Sequence, residues 1–103
     1  MTTEMRDYRI ASGHLDEFVA AWRAGVVPLR RAHGFRIDAA WTTPGEDRFT
    51  WLLSRDGPVE EFRVHDAAYY ADLARVELQP DPAQWILNAD TSFIQLVPTT
   101  ADV

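Results

Sequence analysis

Arg6 is the residue of this sequence that most needs a chemical partner. It lies in an alternating run, Glu4–Ile10, in which Arg6 and Tyr8 fall on the same face of a strand. A buried guanidinium costs several kcal/mol unless a carboxylate or an anionic ligand compensates its charge. We therefore interpret Arg6 as half of a structural ion pair, with Asp38 as a candidate partner, or as a group that binds a ligand and stabilises a developing enolate or phenolate. Tyr8 would either add a polar hydroxyl to the same pocket or pack in the core.

His65 and Tyr69 form the second candidate group. Their spacing of four residues places them on one face of a helix, and an imidazole beside a phenol can transfer protons near neutral pH. If that face points to the sheet, the pair lines a cavity; the simpler alternative is that His65 faces solvent. Trp41 and Trp51 could form the walls of a pocket for an aromatic ligand, although aromatic residues at strand spacing more often belong to the core.

The sequence contains no motif for binding a metal or a nucleotide. Its three histidines are widely spaced, and it lacks the His-Glu-x-x-His, calcium-loop, phosphate-loop and Gly-x-Ser-x-Gly patterns. Cysteine is absent, which excludes thiol nucleophiles and disulfides. We therefore predict no metal and no cofactor, so any catalysis would depend on side chains alone.

Charge and hydropathy argue against two classes of partner. The 103 residues carry a net charge of −6, and the ten basic residues, all arginines, are scattered along the chain, which disfavours binding to nucleic-acid phosphates. No apolar run approaches the ~20 residues of a membrane span, and the start of the chain lacks the apolar segment of a signal peptide. We expect a soluble, cytoplasmic protein with neither a nucleic-acid nor a membrane partner.

The candidate residues lie on six predicted elements in the order β-α-β-β-α-β. Pro28 removes a backbone donor within the first helix, so we expect a kink or a break near Val27. Arg30 near the end of that helix complements its dipole, and Asp66 is a candidate cap after a bend in the second helix. The elements are a strand at Glu4–Ile10, a helix at His14–His33, strands at Phe35–Thr43 and Arg48–Ser54, a helix that opens at Pro58, and a strand at Asp90–Val97.

This order predicts a ferredoxin-like α+β fold in a single domain over residues 4–98, followed by a flexible tail at 99–103. Right-handed crossovers place both helices on one face of a four-stranded antiparallel sheet. In the central hairpin, one face is predicted to hold Phe35, Ile37, Ala39, Trp41, Thr50 and Leu52, and the other Asp38, Ala40, Phe49, Trp51 and Leu53. Both faces are largely apolar and the helices cover only one, so we predict a homodimer that forms through the other sheet face.

Several framework motifs occur together along the chain. They are Arg6-Asp7-Tyr8, Gly13-His14-Leu15-Asp16-Glu17-Phe18, Val27-Pro28-Leu29, His33-Gly34-Phe35, Phe49-Thr50-Trp51-Leu52 and Ala68-Tyr69-Tyr70-Ala71-Asp72. In these motifs the chain resembles the NIPSNAP-like branch of the dimeric α+β barrel proteins. The resemblance implies the ferredoxin-like fold and the dimer. The wider superfamily includes cofactor-free monooxygenases, isomerases, haem enzymes and ligand-sensing modules, so it implies no single reaction.

The leading hypothesis is a homodimer that binds a small organic molecule, aromatic or polyketide-like, in a pocket between sheet and helices. In an enzyme, His65 or Tyr69 would move a proton and Arg6 would stabilise the anion, as in a cofactor-free monooxygenase or an isomerase. The alternative is a non-catalytic binding or protein-interaction module whose polar interior residues are structural. The sequence leaves both open.

Overall fold

A computed structural model of the protein describes residues 1–100 and confirms the β-α-β-β-α-β order. The strands are β1 (Thr2–Ile10), β2 (Arg36–Thr42), β3 (Arg48–Arg55) and β4 (Ile86–Ile94). The helices are α1 (Leu15–Ala21), α2 (Val27–Ala32), α3 (Val59–Ala71) and α4 (Leu73–Val76). Residues 101–103, the end of the predicted tail, lie outside the described part of the chain.

The four strands form one antiparallel sheet in the order β2-β3-β1-β4, which confirms the ferredoxin-like fold. Burial alternates along the central strand β1, with its even-numbered residues from Thr2 to Ile10 buried. Arg6 and Tyr8 therefore share a face, as their spacing predicted, and it is the helix-covered one. None of the helices within residues 1–100 has the length and apolar character of a transmembrane segment.

A bulge in β2 changes the facing predicted for the start of the central hairpin. Ala39 and Trp41 share the face of Leu52 and Thr50, as predicted, and this face is the one away from the helices, but the register against β3 shifts between Ile37 and Ala39. Ile37 therefore pairs with Leu53 on the helix-covered face, and Phe35 is buried in the core. The prediction that Phe35 and Ile37 share the face of Trp41 was wrong, because one bulged residue reverses the facing of everything before it.

The first helical segment changes geometry half-way along. A π-helical turn, Trp22–Val26, joins α1 to α2, and Pro28 lies in the first turn of α2. The irregularity predicted near this proline is therefore a widened turn just before it, where the missing N–H disturbs the regular hydrogen bonds. Trp22, Val26 and Arg30, at steps of four, are all buried.

Two predictions about the second half of the chain were wrong. Helix α3 continues through Asp66 without a break, and it is Asp72 that caps the next helix by accepting a hydrogen bond from the Ala74 N–H (2.9 Å). The last strand begins at Ile86 rather than Asp90, because its first residues pair with the end of β1. That pairing joins distant segments and cannot be read from a local pattern.

The core between helices and sheet is rich in aromatic side chains. Trp22 contacts Phe49 and Trp51 edge to face, with ring centroids 4.9 and 5.4 Å apart. Phe62 of α3 contacts Phe35 in the same way at 5.1 Å. These contacts pack α3 and the helical segment that contains Trp22 against the same face of the sheet.

The opposite sheet face mixes apolar and charged side chains. Trp41 is 44% exposed there. On the two central strands, Asp7 accepts hydrogen bonds from Arg48 (2.7 to 3.2 Å) and from the Thr50 hydroxyl (2.8 Å). This face is therefore less apolar than the hairpin sequence predicted.

Candidate functional site

Arg6 contacts two carboxylates and a phenol beneath α3. Its guanidinium donates to Glu4 Oε1, to Asp66 Oδ1 (2.9 Å) and to the Tyr70 hydroxyl (2.8 Å). Glu4 and Asp66, rather than the predicted Asp38, therefore compensate its charge. Burial acts to lower the pKa of Arg6, but the neighbouring tyrosines and carboxylates outweigh burial and raise that pKa above its ordinary value.

A second buried arginine, Arg30, uses the same partners. Arg30 is 1% exposed, and its Nη1 donates to Asp66 Oδ1 (2.6 Å) while its Nη2 donates to the Tyr70 hydroxyl (3.3 Å). Its guanidinium lies 3.8 Å from the centroid of the Tyr69 ring, a favourable cation–π contact. Arg6, Arg30, Asp66 and Tyr70 thus form one arginine cluster that connects β1, α2 and α3.

A cavity of about 80 Å³ lies next to the arginine cluster, between helices and sheet. At ~30 Å³ per water molecule it has room for about two or three waters, well below the ~300 Å³ at which pockets for drug-sized ligands begin. An aromatic or polyketide-like molecule therefore cannot be enclosed in it. The wall consists of Tyr8, Phe18, Trp22, Val26, Arg30, Trp51, Tyr69, Tyr70, Arg75, Pro82, Ala83 and Ile86.

The residues around this cavity carry several buried polar atoms without a hydrogen-bond partner, while the surface of the cavity itself is mainly apolar. Within residues 1–100, five such atoms belong to wall residues, and each is enclosed by protein: Nε1 of Trp22, Nε1 of Trp51, Nε of Arg30, Nε of Arg75 and the Tyr69 hydroxyl. Only two other buried side-chain atoms of the described residues share this condition, Ser54 Oγ and Arg55 Nε. A buried polar group left unpaired costs ~1–3 kcal/mol and is uncommon in proteins. We call this space the donor-lined cavity.

Tyr8 and Tyr69 are protonated phenols in this setting. Burial raises the pKa of both phenols, and the guanidinium of Arg6 near Tyr8 and those of Arg30 and Arg75 near Tyr69 counter only part of the rise. Both hydroxyls therefore stay protonated at neutral pH. The wall, as far as residues 1–100 form it, holds no histidine, aspartate or glutamate. It can donate hydrogen bonds, but it offers no base.

The predicted site residues divide into two groups. The structure brings four of them to the cavity or directly beside it: Arg6, Tyr8, Trp51 and Tyr69. The other three lie apart from the wall. His65 is half-buried on α3, Trp41 faces away from the helices, and Asp38 is exposed at the bulge of β2.

Sequence reasoning missed Arg30 as a site residue. A positive charge near a helix end has a sufficient explanation in the helix dipole, so its burial was not predicted. A signal was nevertheless present, because Arg30 continues the four-residue spacing of Phe18, Trp22 and Val26 and so belongs to the buried stripe. Arg75 carries no comparable signal, since it reaches the cavity from the short helix α4.

The whole chain is similar to solved structures of NIPSNAP proteins. An uncharacterized NIPSNAP domain protein from Burkholderia xenovorans matches with a TM-score of 0.81 at 18% identity, over 99% of this chain and 100% of the other. A NIPSNAP family protein from Agrobacterium tumefaciens matches with a TM-score of 0.82 at 12% identity, over 97% and 96%. This chain has the NIPSNAP fold. The resemblance seen in the framework motifs is thereby confirmed.

The chain is also similar in fold to a structure named as an enzyme. An antibiotic biosynthesis monooxygenase is similar to this chain with a TM-score of 0.68 at 14% identity, over 95% of this chain and 100% of the other. No protein-family model matches the chain, and no curated protein does. At such low identities the likeness establishes the fold, and a reaction must be argued from the site itself.

Proposed function

We propose that this NIPSNAP-fold protein is a homodimer that binds a small organic molecule in the donor-lined cavity. The observation that supports the proposal is a mainly apolar space between helices and sheet whose surrounding residues carry five buried polar atoms without a partner within residues 1–100. Leaving these five groups without any hydrogen-bond partner would lower the stability of the folded protein. Water satisfies such groups in the absence of a ligand, and a ligand oxygen can take its place.

The cavity volume limits the ligand. A space of about 80 Å³ accepts a molecule of a few heavy atoms, or the polar end of a longer one. The aromatic or polyketide-like ligand expected from the sequence would place only one small group in this space. We therefore narrow the ligand class to small oxygen-containing compounds.

Any reaction in the donor-lined cavity would proceed without a cofactor, and its wall would stabilise negative charge. Tyr69 would donate a hydrogen bond to the developing anion. Arg30 would take the anion-stabilising role first predicted for Arg6, because Glu4, Asp66 and Tyr70 already occupy the Arg6 guanidinium. We assign no proton transfer to His65, which does not line the wall.

Cofactor-free oxygenation is the second candidate function. It is supported by the similarity in fold to an antibiotic biosynthesis monooxygenase and by donors suited to an enolate oxygen. Isomerisation would need the same donors and a base. Since no base lines the wall within the described residues, binding is better supported than either reaction. The alternative function is a protein-interaction module whose polar interior residues are purely structural. It predicts that no ligand binds in the cavity.

Thermal unfolding in the presence of small oxygen compounds tests the proposal. The panel is acetate, acetamide, acetone and ethanol, applied to native protein, Tyr69→Phe and Val64→Ala. Tyr69→Phe keeps the ring over Arg30 and removes one wall donor, while Val64 is exposed on the same helix.

We expect at least one compound to raise the Tm of the native protein in a concentration-dependent way. The shift should be smaller in Tyr69→Phe and unchanged in Val64→Ala. A panel without any effect on the folded native protein, or equal shifts in all three proteins, would contradict the proposal.

A further inference from the structure

We infer that the free edge of β2 and helix α1 bind an extended peptide segment of a partner protein, in which a basic and an acidic residue flank an apolar one. The site lies outside the donor-lined cavity and does not depend on it. Three features point to a peptide: unpaired backbone groups on β2, an open space beside them, and one charge at each end of that space.

The backbone groups of Ala40 and Thr42 point to the free edge of the sheet. Thr43 N–H donates to the Arg48 carbonyl (3.3 Å), so these two residues form a hydrogen-bonded pair at the hairpin end. Hydrogen-bonded and non-hydrogen-bonded pairs alternate along antiparallel strands. Thr42 and Ala40 follow in unbroken register as non-hydrogen-bonded pairs, so their N–H and C=O groups point away from β3. No turn, loop or cap bond within residues 1–100 uses these groups.

This edge lacks the features that prevent the addition of a strand. Edge strands are commonly protected by charged residues, by proline or by a bulge at the place where another strand could pair. The segment Ala39–Thr42 has no charge and no proline, and the bulge of β2 lies before it. The other edge strand, β4, carries Asp90 at its centre. The end of β2 is therefore the edge that is open to a further strand.

A groove of about 510 Å³ lies beside this edge, and we call it the β2 groove. Its volume is within the ~300–1,000 Å³ of typical ligand sites. Ala40 and Thr42 line it on the face of the helices, where both are exposed because α1 packs over β3 and leaves β2 uncovered. Trp41 adjoins the same space from the other face of β2. The open space therefore follows the strand edge itself.

The lining of the β2 groove is polar and apolar in similar parts. Val19 and Ala20 of α1 and Phe49 of β3 supply apolar surface, next to the backbone of β2. An extended peptide has the matching composition, since its main chain bonds to the strand edge and alternate side chains enter the groove.

Two exposed charges of opposite sign line the β2 groove. They are Asp16 in α1 and Arg23 in the π-helical turn that follows, and neither forms an ion pair within residues 1–100. Their separation in the sequence corresponds to ~10 Å along the helix. Residues four apart in an extended strand lie on one face, ~13 Å from each other. A peptide can therefore meet both charges with an apolar side chain between them.

The direction of α1 sets the order of these charges along β2. Phe18, near the start of α1, contacts the β3 residue that pairs with Thr42, with ring centroids 5.1 Å apart. Trp22, one turn later, contacts the β3 residue that pairs with Ala40, at 5.4 Å. The negative end of the groove thus lies by Thr42 and the positive end by Ala40. A strand added antiparallel to β2 would place its basic residue first and its acidic residue fourth after it.

Fluorescence anisotropy with the fluorescein-labelled heptapeptide Thr-Lys-Thr-Val-Thr-Glu-Thr tests the inference. We expect saturable binding to native protein and about fivefold weaker binding of the neutral analogue Thr-Gln-Thr-Val-Thr-Gln-Thr, since both charged contacts are exposed. Asp16→Lys should weaken binding of the charged peptide about fivefold and leave the neutral peptide unaffected. Val64→Ala, at an exposed position on α3, is the control and should bind both peptides like native protein.

Ala40→Pro tests the strand edge itself. Proline lacks the N–H that points to the groove, and it is tolerated at an edge position whose N–H does not bond within the sheet. We expect the folded variant, checked by circular dichroism, to bind the charged peptide about tenfold more weakly than native protein.

Four results would overturn the inference. The first is the absence of saturable binding to folded native protein, and the second is equal affinity of native protein and folded Ala40→Pro. The third is a dimeric native protein that becomes a folded monomer in Ala40→Pro, because a second copy would then occupy the edge. The fourth is an Asp16→Lys variant that binds the charged peptide like native protein, a result that decides even if Ala40→Pro does not fold.

Discussion

Asp66 accepts hydrogen bonds from Arg6 and Arg30 through the same oxygen atom, so one carboxylate compensates two buried positive charges. Sequence reasoning identified half of this arrangement. The predicted central position of β1 implied that Arg6 is buried and needs a carboxylate or an anionic ligand, and the structure shows a buried Arg6 with carboxylate partners. The partner itself was wrong, because Asp66 is 60 residues away and only the packing of α3 on the sheet brings it to Arg6.

Replacing Asp66 should destabilise the protein markedly. Asp66→Asn leaves two buried guanidiniums with less compensation, and we expect the free energy of unfolding to fall by about 2–4 kcal/mol. The value lies below that of a fully buried pair because the Asp66 side chain is 26% exposed.

Urea denaturation measures the change, with Asp56→Asn as the control. The Asp56 side chain is 90% exposed in its pair with Arg36, so its loss should cost less than ~0.5 kcal/mol. Equal effects of the two substitutions would contradict a central role for Asp66.

Acid should weaken the fold partly through Asp7. Hydrogen bonds from Arg48 hold the pKa of Asp7 below its ordinary value of 3.8, with a smaller contribution from Thr50, while burial opposes them. Because the folded pKa is the lower one, Asp7 stabilises the protein at pH values above 3.8, and this stabilisation disappears as the pH falls through the folded pKa.

Urea denaturation from neutral pH down to about 2.5 measures this effect. We expect the free energy of unfolding to decline below about pH 4, and Asp7→Asn to flatten part of that decline. Asp38→Asn, at an exposed position, should leave the slope unchanged. A slope identical in native protein and Asp7→Asn would refute the role of this ion pair.

Two irregular elements decide which side chains lie on the helix-covered side of the sheet. The π-helical turn Trp22–Val26 keeps Trp22 and Arg30 on the buried side, and the bulge in β2 returns Ile37 to the helix-covered face. Pro28 indicated the π-helical turn in the sequence, because proline removes a backbone donor from a regular helix. No residue indicated the bulge, because it arises from the pairing of β2 with β3 and has no local sequence signal.

Helix α3 depends on one aromatic anchor. Phe62 is 1% exposed and contacts Phe35 and Phe93 edge to face, at centroid distances of 5.1 and 5.3 Å. Phe62→Ala should lower the free energy of unfolding by about 3–5 kcal/mol, through lost burial and the space left behind.

Val64→Ala is the matched control on the same helix. Val64 is 65% exposed, so its truncation should change the free energy of unfolding by less than ~0.5 kcal/mol in the same urea experiment. A loss below ~1 kcal/mol for Phe62→Ala would show that α3 is held by other contacts.

At the scale of the whole molecule, sequence periodicity sufficed for the element order and the sheet topology. Alternating and helical spacings are local properties, and few topologies accept six such elements. The volume of the cavity could not be predicted, because it depends on how aromatic rings from five segments pack together. The sequence pattern overestimated the apolar character of the uncovered face. Arg48 pairs with Arg9 across the strands, and its side chain binds Asp7.

The homodimer remains a prediction, and a substitution of Trp41 can test it. Trp41 is 44% exposed on the uncovered face, where a standard interface would bury ~800 Å² per subunit. We expect native protein to run as a dimer at micromolar concentration in size-exclusion chromatography with light scattering, and Trp41→Glu to run as a folded monomer.

Val64→Glu is the control for this experiment, since Val64 lies exposed on the helical layer. It should remain dimeric. A monomeric native protein, or a Trp41→Glu variant that stays dimeric, would contradict pairing through the sheet.

The donor-lined cavity is tested most directly by the four indole N–H resonances of the protein in a ¹⁵N-correlation spectrum during titration with acetate. Trp22 and Trp51 line the cavity, whereas Trp41 and Trp85 do not and serve as internal controls. We predict saturable shifts of the Trp22 and Trp51 resonances and stationary Trp41 and Trp85 resonances. Stationary Trp22 and Trp51 resonances, or shifts confined to Trp41 and Trp85, would contradict the assignment of this cavity as the ligand site.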